Sequence, residues 1–217
     1  MCGILAVINK GQEKVSTKLA KKMSAKLQHR GPDERGCYQS PEGHILCHER
    51  LSIIDLHSGK QPIQGKDTAY LIHNGEIYNH KQLYTTLQEQ RPRRTKSDSE
   101  IILHLYEEIG TDCASQLDGV FAFVLIDGKK VFAGRDPMGV KPLYYALDKL
   151  GNLWFASEFK SLAEISAHIS EFPPGHYYTE EEGFVRFYQP EWYMKPSLVP
   201  NKKAGGLKEV FIEAVQK

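Results

Sequence analysis

The chain has 217 residues, 41% hydrophobic and 25% charged, the balance of a water-soluble globular protein with enough apolar mass for a sizeable core. Its formal net charge of +1 gives no electrostatic argument for nucleic acid or an acidic membrane as partner. There is no apolar run of membrane-spanning length and no secretory signal, and the four cysteines (Cys2, Cys37, Cys47, Cys113) form no C-x-x-C pair. They indicate neither a disulfide framework nor a zinc site, so a reduced, cytoplasmic setting is expected.

Met1-Cys2-Gly3-Ile4 opens the chain. If Met1 is cleaved, Cys2 carries a thiol nucleophile and a free α-amine on one residue. The amine titrates near ~8 and can act as the base for the thiol. The apolar run Gly3 to Ile8 reads as a strand that would hold Cys2 on a rigid platform. Val15, Leu19, Met23 and Leu27 then recur every four residues, which predicts an amphipathic helix over 15–29 with a lysine-rich solvated face. His29-Arg30-Gly31-Pro32-Asp33 ends it in a rigid turn.

Two strands are expected at 36–39 and 44–54, around the turn Ser40-Pro41-Glu42-Gly43. Arg50 stands in the apolar stretch that continues as Leu51-Ser52-Ile53-Ile54. A half-buried guanidinium needs an anion, and a carboxylate from the protein or from a ligand is the natural partner. Another strand, 69–73, leads into Asn74-Gly75-Glu76-Ile77-Tyr78-Asn79 and a helical segment over 80–90. Because no clean partner strand follows Asn74-Gly75, this pair is expected at a strand end facing a cavity. An amide NH2 and a glycine N–H there are the donor types of an oxyanion hole. The basic loop 91–96 has no interleaved aromatics and does not suggest nucleic acid. Ser97-Asp98-Ser99-Glu100 has capping-box spacing before a helix that runs to Ile109 and stops at Gly110, which leaves Asp98 in the first turn as a candidate carboxylate for a ligand ammonium.

Asp127-Gly128 between 120–126 and 129–135 is the clearest hairpin signal. A constrained loop, 135–142, precedes strands at 143–145 and 153–158, a short helix at 159–165 and further strands near Tyr177 and 185–188. Pro190, Pro196 and Pro200 punctuate a linker-like stretch. Leu207, Val210, Phe211, Ala214 and Val215 then make the apolar stripe of a last helix.

Taken together, Met1 to Ile4, His29 to Asp33, His48-Glu49-Arg50-Leu51-Ser52-Ile53-Ile54-Asp55, Asn74 to His80, Ser97 to Glu100, Gly134-Arg135-Asp136 and Phe172-Pro173-Pro174-Gly175-His176 resemble the glutaminase domain of glutamine-hydrolysing asparagine synthetases, over residues 1 to about 190. The resemblance implies a class II glutamine amidotransferase of the N-terminal-nucleophile (Ntn-hydrolase) type. Its expected fold is α+β, a four-layer αββα sandwich of two mainly antiparallel sheets. It implies that Cys2 attacks the glutamine side-chain amide, that Asn74 and Gly75 form the oxyanion hole, and that Arg50 binds the α-carboxylate. Leu51, Ser52, Ile53 and Ile54 line the site through backbone groups, and Glu76 and Asp98 hold the α-ammonium.

The same resemblance makes L-glutamine the ligand. The protein partners to consider are a synthetase domain or subunit and a second copy of the chain; neither nucleic acid nor membrane is expected. No metal is expected in these residues. ATP and magnesium belong to the relatives' synthetase domain, whose Ser-Gly-Gly-Leu-Asp-Ser type loop does not occur in the 217 residues. Residues 191–217 are expected to be a linker and the first helix of that domain. Two other readings remain at this level: a non-catalytic glutamine-binding or synthetase-docking remnant, and an amidotransferase subunit serving another acceptor.

Overall fold

The structure, a computed structural model, describes residues 1–52, 58–88, 92–190, 194 and 206–216. Residues 1–187 form one compact unit, and 188–217 are set apart as a second. The described strands of the first unit make two six-stranded antiparallel sheets. The first has the order β10(Ile169–Glu171), β8(Tyr144–Leu147), β9(Leu153–Ala156), β1(Gly3–Ile8), β3(Ile45–Arg50), β2(Glu34–Gln39). The second runs β12(Gly183–Arg186), β11(His176–Thr179), β7(Lys130–Arg135), β6(Gly119–Asp127), β5(Ala69–Ile77), β4(Ile63–Gln64).

Strand side chains alternate between faces, and three apolar clusters follow from that. Ile4, Ala6, Ile8, Leu46 and Phe155 of the first sheet meet Ile72, Ala122, Val124 and Ile126 of the second. On the outer face of the first sheet, Leu5, Val7, Ile45 and Trp154 pack on Ala20 and Met23 of α1(Thr17–Ser24). On the outer face of the second, Leu71, Phe121, Phe123 and Phe132 pack on Leu83 of α2(His80–Thr86) and on Ile101, Ile102 and Leu105 of α3(Glu100–Ile109). The layer order is therefore helix, sheet, sheet, helix, as expected.

Several local expectations are corrected. The 15–29 helix is only α1 plus a 3-10 turn over Ala25–Leu27, and Leu19 is exposed, its place on the buried stripe taken by Ala20. Strand β3 stops at Arg50. The Asp-Gly hairpin is shifted by one: Asp127 pairs with Lys130, and Gly128, at φ +56°, starts the two-residue turn. Glu100 does not close a capping box with Ser97; its carboxylate accepts from the Arg94 and Thr95 N–H groups and the Thr95 hydroxyl, and Ser99 occupies the cap position. Cys37 and Cys47 lie directly opposite each other across β2 and β3 and are joined as a disulfide, a pairing that comes from strand register rather than motif spacing.

In the second unit, α4(Leu207–Gln216) is exposed along its length, and 191–193 and 195–205 of the expected linker lie outside the described residues. No described helix is long and apolar enough to cross a membrane.

The loop after β7 is tied down by Asp136, which is buried. Its carboxylate accepts from the N–H groups of Phe121, Met138, Val140 and Lys141 at 2.9–3.2 Å. Arg135 holds the same loop by donating to the carbonyls of Gly139, Lys141 and Phe172. Asp136→Ala would leave four donors seeking an acceptor. It is expected to lower stability by about 3 kcal/mol, read as a lower urea midpoint; a midpoint equal to wild type would refute the anchor.

Candidate active site

Cys2 precedes β1, half-buried at its head. Its Sγ accepts from the Leu51 N–H at 3.4 Å, and Arg30 Nε donates to the Cys2 carbonyl at 2.9 Å. Arg30 Nη1 in turn donates to Glu158, which also contacts His29 and Lys160. The His29–Asp33 turn thus clamps the candidate nucleophile through Arg30, while His29, Pro32 and Asp33 are themselves exposed. It fits because residue 31 is glycine: a Cβ there would come within 2.1 Å of the Glu49 carbonyl oxygen. Asp33 completes the clamp, its N–H donating to the Arg50 carbonyl and its carboxylate accepting from the Ser52 N–H at 2.7 Å.

By the parity that buries Ile4, Leu46 and Ile72, Cys2, His48, Arg50, Asn74 and Glu76 all project toward the space between the sheets. A cavity of about 130 Å³ there is lined by Cys2, Arg50, Leu51, Asn74, Gly75, Glu76 and Asp98, and also by Met1, His48, Gln61, His73 and Lys141. The structure therefore brings the expected site residues together, apart from Ser52, which is tied to Asp33 beside the cavity, and Ile53 and Ile54, which lie outside the described residues. A larger cavity of about 630 Å³ lies at the opposite end of the second sheet, against Asp127, Lys130 and Glu182. No cysteine lines it; the Cys2 thiol opens into the smaller one.

Asn74 and Gly75 are not at a strand end. They sit inside β5, opposite Ala122 and Phe121 of β6. The nine-residue ladder overrides the turn preference of Asn-Gly, and Gly75 admits the close passage of β6, since a Cβ would fall 2.1 Å from the Val120 carbonyl oxygen. Asn74 Nδ2 is buried without a hydrogen-bond partner among the described residues. An orphaned buried donor is costly, so its place on the cavity wall beside Cys2 marks a position where an acceptor is wanted.

Arg50 is buried and has a protein carboxylate: Nη1 donates to Glu34 Oε2 at 3.1 Å, the residue directly opposite it on β2. Lys60 is on the other Glu34 oxygen at 2.7 Å, and these two cations hold the Glu34 carboxyl below its ordinary range, Lys60 foremost. Asp98 does not sit in the first turn of α3 but just before it. Its Oδ2 accepts from the Ile77 N–H at 2.7 Å and its Oδ1 from the Ser97 hydroxyl. Burial pushes the Cys2 thiol up; the Leu51 N–H, the nearby N-terminus, Arg50 and Arg30 act against that. The thiol is accordingly protonated near neutrality and needs a base to become a nucleophile.

Sequence reasoning missed His48 and His73. His48 Nε2 donates to the His73 carbonyl at 3.2 Å, linking β3 of one sheet to β5 of the other. No local spacing signals this contact; it exists only once the sheets stack. Burial lowers His48 to about 3 and His73 to about 4, so both are neutral. In the unfolded chain each would titrate near ~6.5. Between about pH 6.5 and 4 the unfolded state therefore binds more protons, and stability is lost as pH falls, on the order of 1.4 kcal/mol per pH unit for each histidine. Urea denaturation at pH 7 and pH 5 should show the loss, and His48→Gln should flatten it. An unchanged pH slope in His48→Gln would refute the buried neutral state.

A family model described as glutamine amidotransferase domain matches residues 1–171. The chain is 45% identical over 229 residues to a probable asparagine synthetase [glutamine-hydrolyzing] of Dictyostelium discoideum, covering 99% of this chain and 41% of that protein. It is 47% identical over 202 residues to asparagine synthetase [glutamine-hydrolyzing] 2 of Arabidopsis thaliana, covering 89% of this chain and 34% of that one. The chain thus spans about two-fifths or less of the length of these relatives. Its fold is similar to that of glutamine phosphoribosylpyrophosphate amidotransferase from B. subtilis, with a TM-score of 0.72 and 22% identity over 87% of this chain and 50% of that chain. The sandwich is the α+β fold of the Ntn-hydrolase amidotransferases, and the chain belongs to the glutamine amidotransferase domain family.

Proposed function

We propose that the chain hydrolyses L-glutamine to L-glutamate and ammonia through a thioester on Cys2, once Met1 has been removed. The observation that carries this reading is the orphaned, buried Asn74 Nδ2 in the same cavity as the Cys2 thiol. Removal of Met1, which is exposed, would convert the Cys2 amide nitrogen into an α-amine. That amine takes the thiol proton as sulfur attacks the side-chain carbonyl carbon. The negative charge developing on oxygen is received by Asn74 Nδ2 and the Gly75 N–H, groups fixed in a strand before substrate arrives. Collapse of the intermediate breaks the C–N bond, and ammonia leaves with the proton returned from the amine. Water then attacks the thioester by the same route, which releases glutamate and restores the thiol.

The ends of the substrate fit the remaining groups. Arg50 receives the α-carboxylate while Glu34 steadies it from the other strand, and Glu76 and Asp98 receive the α-ammonium. Leu51 forms part of the wall. The names of the relatives support asparagine synthesis as the use of the ammonia; the reading adds that this synthesis consumes ATP and starts from aspartate. In that setting ATP and magnesium act in a synthetase unit outside these residues, which is the partner to which this domain delivers ammonia.

A glutaminase assay on the purified, Met-processed chain tests the reading, with intact mass confirming that Met1 is gone. Cys2→Ala is expected to abolish turnover and Asn74→Ala to lower kcat by roughly 10²–10³-fold. Turnover that survives Cys2→Ala unchanged would sink the proposal.

A further inference from the structure

A continuous run of buried side chains connects His73 to Asp98. His73 Nδ1 is 2.7 Å from the Ser99 hydroxyl, which is 3.1 Å from the Ser97 hydroxyl, which is 3.3 Å from Asp98 Oδ1. All four residues are less than a tenth exposed. The direction of the chain follows from where the single Ser97 proton goes, to Asp98 Oδ1 or to the Ser99 oxygen. A carboxylate only accepts, so the Asp98 contact is a hydrogen bond only with Ser97 as donor. Ser97 has one hydroxyl proton and has then spent it, so Ser99 donates to Ser97. His73 must then donate to Ser99 and carry its proton on Nδ1. Its Nε2 is left a bare lone pair, and Nε2 is the ring atom with no partner among the described residues. The histidine backbone is fixed independently, its N–H on Gln61 Oε1 at 2.6 Å and its carbonyl accepting from His48.

We propose that His73 is a positioning residue for the substrate: through Ser99 and Ser97 it orients the Asp98 carboxylate toward the α-ammonium of the bound amino acid. The proposal rests on the glutamine reading above. Asp98 Oδ2 is held by the Ile77 N–H, so the relay supplies the second point that stops the carboxylate from rotating. With both points made, the carboxylate meets the substrate already oriented, and the benefit is confined to ligands that carry the ammonium.

The test compares L-glutamine with its desamino analogue, 4-carbamoylbutanoate, which keeps the scissile amide and the carboxylate. Ser99→Ala and His73→Gln are expected to raise KM for glutamine about tenfold, the effect of one lost charge-assisted hydrogen bond, with kcat held within about twofold and the analogue's KM unmoved. His73→Asn, whose amide nitrogen falls near the position of Nδ1, should restore the wild-type KM. An equal KM increase for both substrates, no increase for glutamine, or equivalence of the Asn and Gln variants would each overturn the relay. Nitrogen-15 NMR of the resting chain should show the His73 proton on Nδ1; a proton on Nε2 refutes the relay whatever the chain hydrolyses. Absence of glutamine turnover by wild type would count against the amidotransferase reading alone, and the relay would then be decided by the same ligand pair in calorimetric binding.

Discussion

Two sheets stacked face to face leave one layer between them, and the parity of each strand decides what enters it. In β1, β3 and β5 the inward positions are even-numbered. Near the middle they are Ile4, Leu46 and Ile72; toward one end they become Cys2, His48, Arg50, Asn74 and Glu76. A single register thus makes the core and the cavity. The only cross-sheet hydrogen bond between a β3 side chain and the β5 backbone in the described residues, His48 to His73, lies where apolar packing gives way to chemistry.

Much of the site is legible in the amino-acid sequence, because its residues carry unusual chemistry for their surroundings. Cys2 beside a removable Met, Arg50 in an apolar strand and Asn74 before Gly75 each ask for an explanation. What is not legible depends on contacts between distant segments. The Glu34–Arg50 pair and the Cys37–Cys47 bridge both follow from the β2–β3 register, which no local spacing encodes. Asn74-Gly75 misleads in the opposite direction: a strong two-residue turn signal is outweighed by nine paired residues of β5 and β6, since the ladder satisfies many backbone groups where a turn would satisfy one. Ser97 and Glu100 have the spacing of a capping box, yet Glu100 is drawn to the N–H groups of Arg94 and Thr95, which the bend before α3 brings closer.

Arg50 shows how a cation is kept in the layer between the sheets. The opposite-strand Glu34 offsets the burial of the guanidinium, and Lys60 shares the load on Glu34. The cost of keeping a cation in the layer is therefore spread over an outer ion pair that reaches solvent, while the inner edge faces the cavity.

The two sheets also meet through aromatic rings. Tyr38 of β2 and Tyr70 of β5 stack with centroids 3.5 Å apart, and Phe155 meets Tyr178 and Tyr145 meets Phe184 across the same gap. Tyr70 is four residues from Asn74, about 13 Å along the strand. Tyr70, Ile72 and Asn74 share one face of β5, so the stacked rings and the cavity that holds Cys2 and Asn74 lie in the same layer, and one intersheet spacing serves both.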